Sequence, residues 1–355
     1  MARLPSKLPP SLFEHTPWEG IKQSIWPAST FTIRRNLSKQ LFPQKMNQME
    51  LSQTLEFLKN AIFQTLGLPN MQLFKAEELD TLDKEFLFEH YLEMEGFENL
   101  HAGQGFIIDD SGFFLAILNM NDHLQLQFID NKSEWKNAWD NLLKLEAALA
   151  SALEFAFSER FGYLTADLTS CGTAVTIKAL LHLPALIQMG QLKEILTKEK
   201  TEEVEVVGME GNLENIIGDL VIVRNRFSIG IDEETLLKSI YTLSTKLMLA
   251  EKALREHLSE KETEMKDKIS RAFGLLFHSY QLQTKEALST LSLFKLGLQL
   301  GWISGISDQK IDELFFKCRR AHLLLSLPPD IDPKDLSHKR AEFIHSQLKD
   351  AKLTI

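Results

Sequence analysis

Arginine is scarce in this sequence. Of its 355 residues, 28 are lysine but only 11 are arginine, against 49 acidic residues, and the net charge is −10. Arginine supplies the rigid two-pronged group that clamps phosphates and carboxylates, so few such clamps are available. The negative charge also argues against nucleic acid as a partner, because that affinity comes from many basic contacts to phosphate.

Cysteine is rarer still, and long apolar runs are absent. Cys171 and Cys318 lie far apart without CxxC spacing, which excludes a disulfide framework or a thiolate zinc site. No run approaches the roughly 20 apolar residues of a membrane span. Four prolines interrupt the first 18 residues, unlike a secretory signal. We therefore expect a cytoplasmic protein that does not bind membranes.

The rest of the composition is that of an ordinary globular protein, and apolar residues recur with helical spacing in some segments and with strand-like alternation in others. Prolines predict a loosely ordered arm over residues 1–27. Apolar spacing predicts helices over 49–66 and 134–159, and alternation predicts an antiparallel meander over 104–129. A second hairpin is predicted from segments 204–209 and 216–223. Beyond Asp232 the pattern is helical, over about 232–260, 264–282, 284–300, 308–325 and 335–350, so the sequence predicts an α+β chain.

Candidate chemistry is sparse when the residues are taken alone. The polar loop 165–173 is predicted to open into a very apolar helix that carries His182. Its helix start could hold an anion, or Thr and Ser could simply cap the helix. His182 and Cys171 are best interpreted as buried core residues, although a thiol can be a nucleophile. The acid-rich segment 251–268 is interpreted as a solvated helix face with i,i+4 ion pairs.

One stretch is more specific. It comprises Tyr163-Leu164-Thr165, Thr169, Gly172-Thr173 and then His182-Leu183-Pro184-Ala185-Leu186. This stretch resembles the signature of the ATP:guanido phosphotransferases, the creatine and arginine kinases, and most of all their bacterial relatives that phosphorylate arginine side chains in proteins. Arg35-Asn36, Asn119 with Asp122-His123, and the glycines at 208, 211 and 218 follow the family's order.

The departures from the family pattern fall on the residues that do its chemistry. The resemblance implies ATP-binding arginines at five positions that are uncharged here: Thr30, Thr32, Gln125, Thr176 and Val207. It implies glutamates at Met120, Asn121 and Asn212, which would orient the guanidinium and help remove its proton. It also implies a reactive cysteine at Asp167.

The resemblance therefore predicts a guanido-kinase fold without an intact catalytic set, without a nucleotide cofactor and without a metal. Residues 28–250 would form the phosphotransferase-like domain, and 251–355 a helical domain resembling the phosphoarginine-binding and dimerisation domain. The alternative is an active protein-arginine kinase with an altered site that uses Mg-ATP.

The resemblance also implies partners. These are a second copy in a homodimer, a Clp-type AAA+ unfoldase and a small zinc-binding activator protein. The family's phosphoarginine-reading motif corresponds to residues 336–340, where only Lys339 and Arg340 keep the basic pair. These two residues could still contact an anion, or they could belong to a solvated helix face.

Overall fold

The chain folds around a sheet of eight antiparallel strands. The computed structural model describes residues 6–9, 11–14, 21, 24–91, 100–199, 201–261 and 263–355. The strands are β1 (Ala28–Arg35), β2 (Gln72–Lys75), β3 (Gly105–Ile108), β4 (Phe114–Leu118), β5 (Leu124–Asp130), β6 (Phe157–Ser158), β7 (Gly162–Tyr163), β8 (Val175–His182), β9 (Val204–Gly208), β10 (Leu220–Asn225), β11 (Ile303–Ser304) and β12 (Lys352–Leu353). The large sheet has the order β2-β3-β4-β5-β1-β8-β10-β9, whereas β6–β7 and β11–β12 form separate pairs.

Helices flank this sheet and make up most of the C-terminal part. They are α1 (Ser11–Glu14), α2 (Gln48–Thr65), α3 (Thr81–Tyr91), α4 (Trp135–Ala150), α5 (Pro184–Gln188), α6 (Leu192–Lys198), α7 (Glu233–Lys261), α8 (Thr263–His278), α9 (Thr284–Gln299), α10 (Asp308–Lys317), α11 (Arg320–Ser326) and α12 (Leu336–Leu348). The predicted α+β class, with an antiparallel sheet and a helical C-terminal region, is confirmed. Within the described ranges, none of these helices combines the length and apolarity needed to cross a bilayer.

The two faces of the sheet differ. In β1, Phe31 and Ile33 point to one side and join a core shared with α2, α4 and α7. Because side chains alternate along a strand, Thr30, Thr32 and Arg34 lie on the other side. We call this other side the cleft face. Its outer parts are covered by α3 and by the helical C-terminal region through a second core, and its middle carries polar side chains.

Several predicted elements are confirmed. The helix predicted over 49–66 is α2, which begins at a capping box in which Asn47 and Glu50 satisfy each other's backbone amides. The meander over 104–129 is β3, β4 and β5, and the second hairpin is β9 paired with β10.

The helix predicted after residue 173 is wrong. Residues Val175–His182 form strand β8, which pairs with β1 on one side and β10 on the other. When both faces of a sheet are covered, an interior strand has a continuous run of apolar residues. Periodicity alone cannot distinguish such a run from a buried helix. Consequently no helix N-terminus stands at Thr169–Thr173, and the anion site and the helix cap expected there are both wrong. The loop instead forms a short 3-10 turn capped by Asp167.

Other boundaries also need correction. Helix α4 ends at Ala150 rather than near 159, and the helix predicted over 308–325 breaks at Arg319 into α10 and α11. The proline-rich arm is partly ordered, because α1 forms directly after Pro9 and Pro10, and Leu8 and Leu12 are buried in the core. Residues 1–5, 10, 15–20 and 22–23 of the predicted arm lie outside the described residues.

Helix α7 runs without a break across the predicted domain boundary at 250/251. Glu251, the first residue of the segment predicted to be a solvated face, is fully buried. Its carboxylate accepts the amides of Ala185 and Leu186 at the start of α5 and the Nε of Arg255 (2.7 Å). The solvated-face interpretation is correct further on, where Asp267 and Arg271 form an exposed i,i+4 pair.

A second buried polar chain links the sheet to the helical region. Ser292 Oγ on α9 donates to Asp219 Oδ2 (2.5 Å), so His182 Nε2, 2.8 Å away, donates to Ser292. Burial raises the pKa of Asp219 to about 6. The prediction that His182 is a buried core histidine is confirmed.

Removing the Glu251 carboxylate should strongly destabilise the protein. Glu251→Ala leaves Arg255 and two α5 amides buried without their partner, which costs about 3–5 kcal/mol for a broken buried pair. Asp267→Ala removes an exposed carboxylate from an equivalent i,i+4 arginine pair and should cost less than about 0.5 kcal/mol. Urea-unfolding midpoints of both variants measure the difference. Equal losses would contradict the role given to Glu251.

Candidate functional site

A polar pocket of about 270 Å³ opens at the end of the cleft face where β1, β4 and β5 meet the 164–170 loop. Four of the family positions named from the sequence lie in it, namely Met120, Asn121, Gln125 and Asp167. The residues that line it are Arg34, Gln44, Ile117, Met120, Asn121, Asp122, Gln125, Ala166, Asp167 and Ser170.

Asp122 joins the two loops that form this pocket. Its Oδ1 accepts Asn36 Nδ2 (2.5 Å) from the end of β1 and the Ala166 amide (2.8 Å) from the 164–170 loop. Asn36 also donates to the Leu164 carbonyl (3.0 Å) and accepts the His123 amide (2.9 Å). The pKa of the Asp122 carboxyl lies above its usual value, mainly because the group is buried. The motif residues Asn36 and Asp122-His123 therefore brace the pocket walls.

Arg34 is the basic side chain in the pocket wall, and one of its N–H groups is bound to a neighbouring strand. Its Nη1 donates to Thr176 Oγ1 (2.6 Å) on β8. Thr176, one of the substituted family positions, is thereby linked to the pocket. The next residue, Arg35, points to the opposite face, where its Nε donates to Glu146 (2.9 Å) and its guanidinium stacks over Tyr163.

Thr30 and Thr32 lie beside the pocket on the cleft face but are not among its lining residues. Thr32 pairs in register with Gln127 and Thr176. Thr32 is 1% exposed and Gln127 is 0% exposed. Neither Thr32 Oγ1 nor the Gln127 amide has a hydrogen-bond partner within the described ranges. Sequence reasoning missed Gln127, although the alternation in Leu124–Asp130 puts it on the same face as Gln125.

The two remaining family positions lie elsewhere. Val207 is buried in the core that the sheet shares with the helical region. Asn212 stands in the connection between β9 and β10, where its Oδ1 accepts the Glu214 amide (2.9 Å) and its carbonyl accepts the Gly208 amide (2.7 Å). Asn212 thus shapes a turn, and it does not line the pocket.

The two basic residues of α12, Lys339 and Arg340, lie in different environments. Arg340 is 2% exposed, and its guanidinium donates to the carbonyls of Cys318 (2.7 Å) and Leu282 (2.9 Å). The solvated-face alternative is therefore wrong for Arg340, which holds α12 against the preceding helices. Lys339 is partly exposed and pairs with Glu342 (2.7 Å). Cys171 is buried and contacts Thr165 Oγ1 (3.5 Å), as predicted for a small core residue.

The pocket carries one guanidinium, from Arg34, and two carboxyl groups, from Asp122 and Asp167. Asp167 Oδ1 accepts both the amide and the hydroxyl of Thr169 (2.9 Å each). In the described part of the chain, no three His, Cys, Asp or Glu side chains are grouped to hold a metal ion. The arrangement thus favours cationic or neutral polar groups over polyanions.

Solved guanidino kinases share this fold. Lombricine kinase aligns over 71% of this chain and 73% of its own at 15% identity, with a TM-score of 0.56. The duplicated taurocyamine kinase from Schistosoma mansoni, with bound transition state analog components, aligns over 71% of this chain and 36% of its own at 18% identity, with a TM-score of 0.57. At these identities the likeness is one of fold.

Sequence comparison gives the family. Residues 54–254 match the model of the ATP:guanido phosphotransferase C-terminal catalytic domain, and residues 262–354 match that of the protein-arginine kinase McsB C-terminal domain. The chain therefore belongs to the ATP:guanido phosphotransferase family, and the resemblance stated from its motifs is confirmed. It is 33% identical to the protein-arginine kinase of Chlamydia pneumoniae over 333 residues, 92% of each chain. It is 28% identical to that of Halothermothrix orenii over 331 residues, 93% of this chain and 95% of the other.

The imidazole of His123 should stay neutral well below the usual range for histidine. Burial lowers the pKa of His123 to about 4, whereas an unfolded histidine titrates near 6.5. Between these values the unfolded chain binds more protons, so this residue's contribution to stability falls as pH drops from about 6.5 to about 4.

The raised pKa of Asp219 changes the stability in the opposite direction over an overlapping pH range. The overall stability therefore cannot isolate His123, and the measurement must be specific to this residue. An NMR titration of the His123 ring proton provides this, with the exposed His257 as the reference signal and His123→Asn to assign the resonance. A His123 midpoint near 6.5 would contradict the burial described here.

Proposed function

We propose that this chain is a catalytically degenerate homologue of the protein-arginine kinases that serves as an adaptor or regulator in Clp-type protein quality control. The observation that carries the proposal is the charge of the pocket. The resemblance implies charged or reactive side chains at four positions that lie in one pocket, which carries two carboxyl groups and one guanidinium. These positions are Met120, Asn121, Gln125 and Asp167.

Mg-ATP fits these residues poorly. A nucleotide polyphosphate requires cations or amide donors directed at its oxygens. Arg34 is the one basic side chain of the pocket wall, and one of its N–H groups donates to Thr176. On the same face the Arg224 Nε donates to Glu205 (2.8 Å). Thr32 and Val207 are buried, so these side chains do not present donors to a ligand from solvent.

The magnitude of the missing interactions supports loss of activity. A hydrogen bond to a charged group contributes about 1.5–3 kcal/mol, and micromolar affinity corresponds to roughly 8 kcal/mol. Five absent arginines therefore remove most of the expected nucleotide affinity, even if their contributions overlap. In phosphoryl transfer a single arginine can contribute about 10³–10⁵ in rate.

The preserved scaffold supports a role in binding. Residues 262–354 of the helical region match the family's C-terminal domain, and buried polar contacts at Glu251 and Ser292 join this region to the rest of the fold. We propose that the chain forms a homodimer and binds a Clp-type AAA+ unfoldase and a small zinc-binding activator. Lys339 is the remaining candidate for an anion contact on α12, because Arg340 is occupied by backbone carbonyls.

The alternative is an active ATP-dependent protein-arginine phosphotransferase with an altered site. It is favoured by 33% identity to a protein-arginine kinase across 92% of the chain. It is also favoured by the braced pocket, in which Asp167 is exposed at the position of the family cysteine and Arg34 remains. In this alternative Asp167 would approach the substrate guanidinium, and Mg-ATP would bind across the cleft face.

Calorimetric titration with Mg-ATP should show no micromolar binding to the wild-type protein. Gln125→Arg adds a second guanidinium to the pocket and should raise the affinity by about 10-fold, the equivalent of 1.4 kcal/mol. Asn121→Glu adds a negative charge to the adjacent pocket wall and should not raise the affinity for Mg-ATP. Tight wild-type binding, or equal effects of the two variants, would contradict the charge argument.

Incubation with Mg-ATP and a basic protein should yield no phosphoarginine by mass spectrometry. If phosphoarginine forms and Asp167→Asn abolishes it, the alternative is correct and the degenerate assignment is wrong. Asp167 suits this test because it is exposed, whereas Asp122 braces two loops and its loss would disturb the pocket itself.

Affinity capture from the native cytosol tests the adaptor role separately. We expect a Clp component or a zinc-binding activator to be recovered with the wild-type chain. Recovery of neither would contradict the proposed partners, whatever the outcome of the nucleotide titration.

A further inference from the structure

The contact between α3 and α11 contains a buried group of ionisable side chains that lies outside the candidate pocket. Glu89 on α3 is buried, and its carboxylate accepts the amides of Ala321 (3.1 Å) and His322 (3.1 Å) in the first turn of α11. The residue that precedes α11 provides no side-chain cap. Glu89 therefore caps α11 from another helix, and it joins the helical region to the part of the chain that packs on the sheet.

Two histidine rings are buried beside this carboxylate. His322 Nδ1 donates to Glu89 (2.8 Å), because a carboxylate can only accept. The ring of His90 lies parallel to that of His322, with 5.9 Å between centroids and 8° between planes. His322 Nε2 and His90 Nδ1 have no hydrogen-bond partner within the described ranges. Since both nitrogens of an imidazolium carry protons, protonation would leave a buried N–H without an acceptor on each ring.

The two rings lie among apolar side chains. Phe86 packs against both, with centroids 5.4 Å from His90 and 4.2 Å from His322. Phe13 of the N-terminal segment packs on Phe86 in turn (4.7 Å). A charge in such surroundings is unfavourable unless it is paired. A charged His322 would keep Glu89 as its partner, whereas no described carboxylate acts on His90.

The carboxylate of Glu89 is surrounded by cationic side chains. Arg319 Nη1 donates to the Glu89 carbonyl (3.2 Å), and the positive charges of Arg319 and Lys317 act on His322. The other charged groups around the cluster are Arg340 on α12, Asp83 bound to Ser6, Glu85 paired with Arg320, and Asp109, which acts on the Tyr91 phenol. Additional positive charge on the imidazoles would therefore be repelled by Arg319 and Lys317.

These surroundings give the helix contact a pH dependence of known sign. Burial lowers the pKa of His322, and it holds the pKa of His90 well below the usual range for histidine. Burial also opposes the charge of Glu89, but the bond from His322 and the charge of Arg319 lower the pKa of its carboxyl. If α11 left α3, all three pKa values would return toward those of exposed groups, about 6.5 for histidine. The separated form then binds more protons, so the contact weakens as pH falls below about 6.5.

We propose that the contact between α3 and α11 is an acid-sensitive joint, in which protonation of His90 and His322 releases α11 from α3. The rest of the helical region stays attached, because Glu251 and Ser292 hold α7 and α9, and the buried Lys295–Asp312 pair holds α10 to α9. Release uncovers Phe86 and the small apolar cluster that Leu323 and Leu324 of α11 form with Leu82 of α3. It does not depend on whether the chain binds ATP.

Hydrogen–deuterium exchange of the full chain at about pH 7.5 and about pH 5.5 tests the release, with α9 as the reference in the same sample. Rates are divided by the intrinsic rate at each pH. We expect the protection of α3 and α11 to fall relative to that of α9, by about 10-fold for each histidine that stays neutral in the joined form. An unchanged ratio, or an equal loss in α9, would overturn the proposal, and this comparison needs no variant.

His90→Phe tests the role of the rings, and His257→Phe is the matched control on the exposed face of α7. Phenylalanine keeps an aromatic ring beside Phe86 but takes up no proton, so the acid-dependent loss of protection in α3 and α11 should become about 10-fold smaller. The change at His257 should leave this loss as it is in the wild type. A loss in His90→Phe as large as in the wild type would overturn the assignment.

Glu89→Gln tests the carboxylate independently. Glutamine keeps one acceptor but removes the charge that caps α11 and binds His322, so α11 should lose protection relative to α9 already at about pH 7.5. Wild-type protection of α11 in this variant would also overturn the joint.

Discussion

The buried carboxylate of Glu251 holds four parts of the molecule together. It binds the first turn of α5 and Arg255, and Arg255 in turn reaches the carbonyl of His182 at the end of β8 and the side chain of Gln299 on α9. A buried ion is tolerated only when it is paired and hydrogen-bonded. The end of β8 is therefore anchored by contacts made far from the pocket, whereas Thr176 at its start is placed by pairing with Thr32 of β1.

The folded protein does not need a bound anion to stabilise its cleft face. Arginines directed into a partly closed cleft repel one another unless phosphate neutralises them, and burial adds a desolvation cost. Uncharged side chains at Thr32, Thr176 and Val207 avoid both costs. In the proposed function this is the physical advantage of the substitutions, because the scaffold needs no nucleotide to complete it.

Local signals in the sequence predicted much of the fold, and long-range contacts account for what it missed. The helix α2, the meander β3–β5 and the hairpin β9–β10 follow from nearby residues. Strand β8 could not be distinguished from a helix, because both of its faces are covered. Arg340 looked solvated because its partners, the carbonyls of Leu282 and Cys318, lie 58 and 22 positions away. The candidate pocket was predictable only through family motifs, because its walls come from segments that are distant in the sequence.

The strand order also has a consequence for how the chain folds. The first strand of the large sheet, β1, lies at its centre between β5 and β8. Ser29 pairs with Asp130 and Ala179, roughly 100 and 150 positions later, and such distant pairings slow folding. During synthesis β1 must therefore wait, with both edges unpaired, until most of the sheet has left the ribosome. Until then the strand that carries Thr30, Thr32 and Arg34 has unpaired edges, to which chaperones or wrong strands can bind.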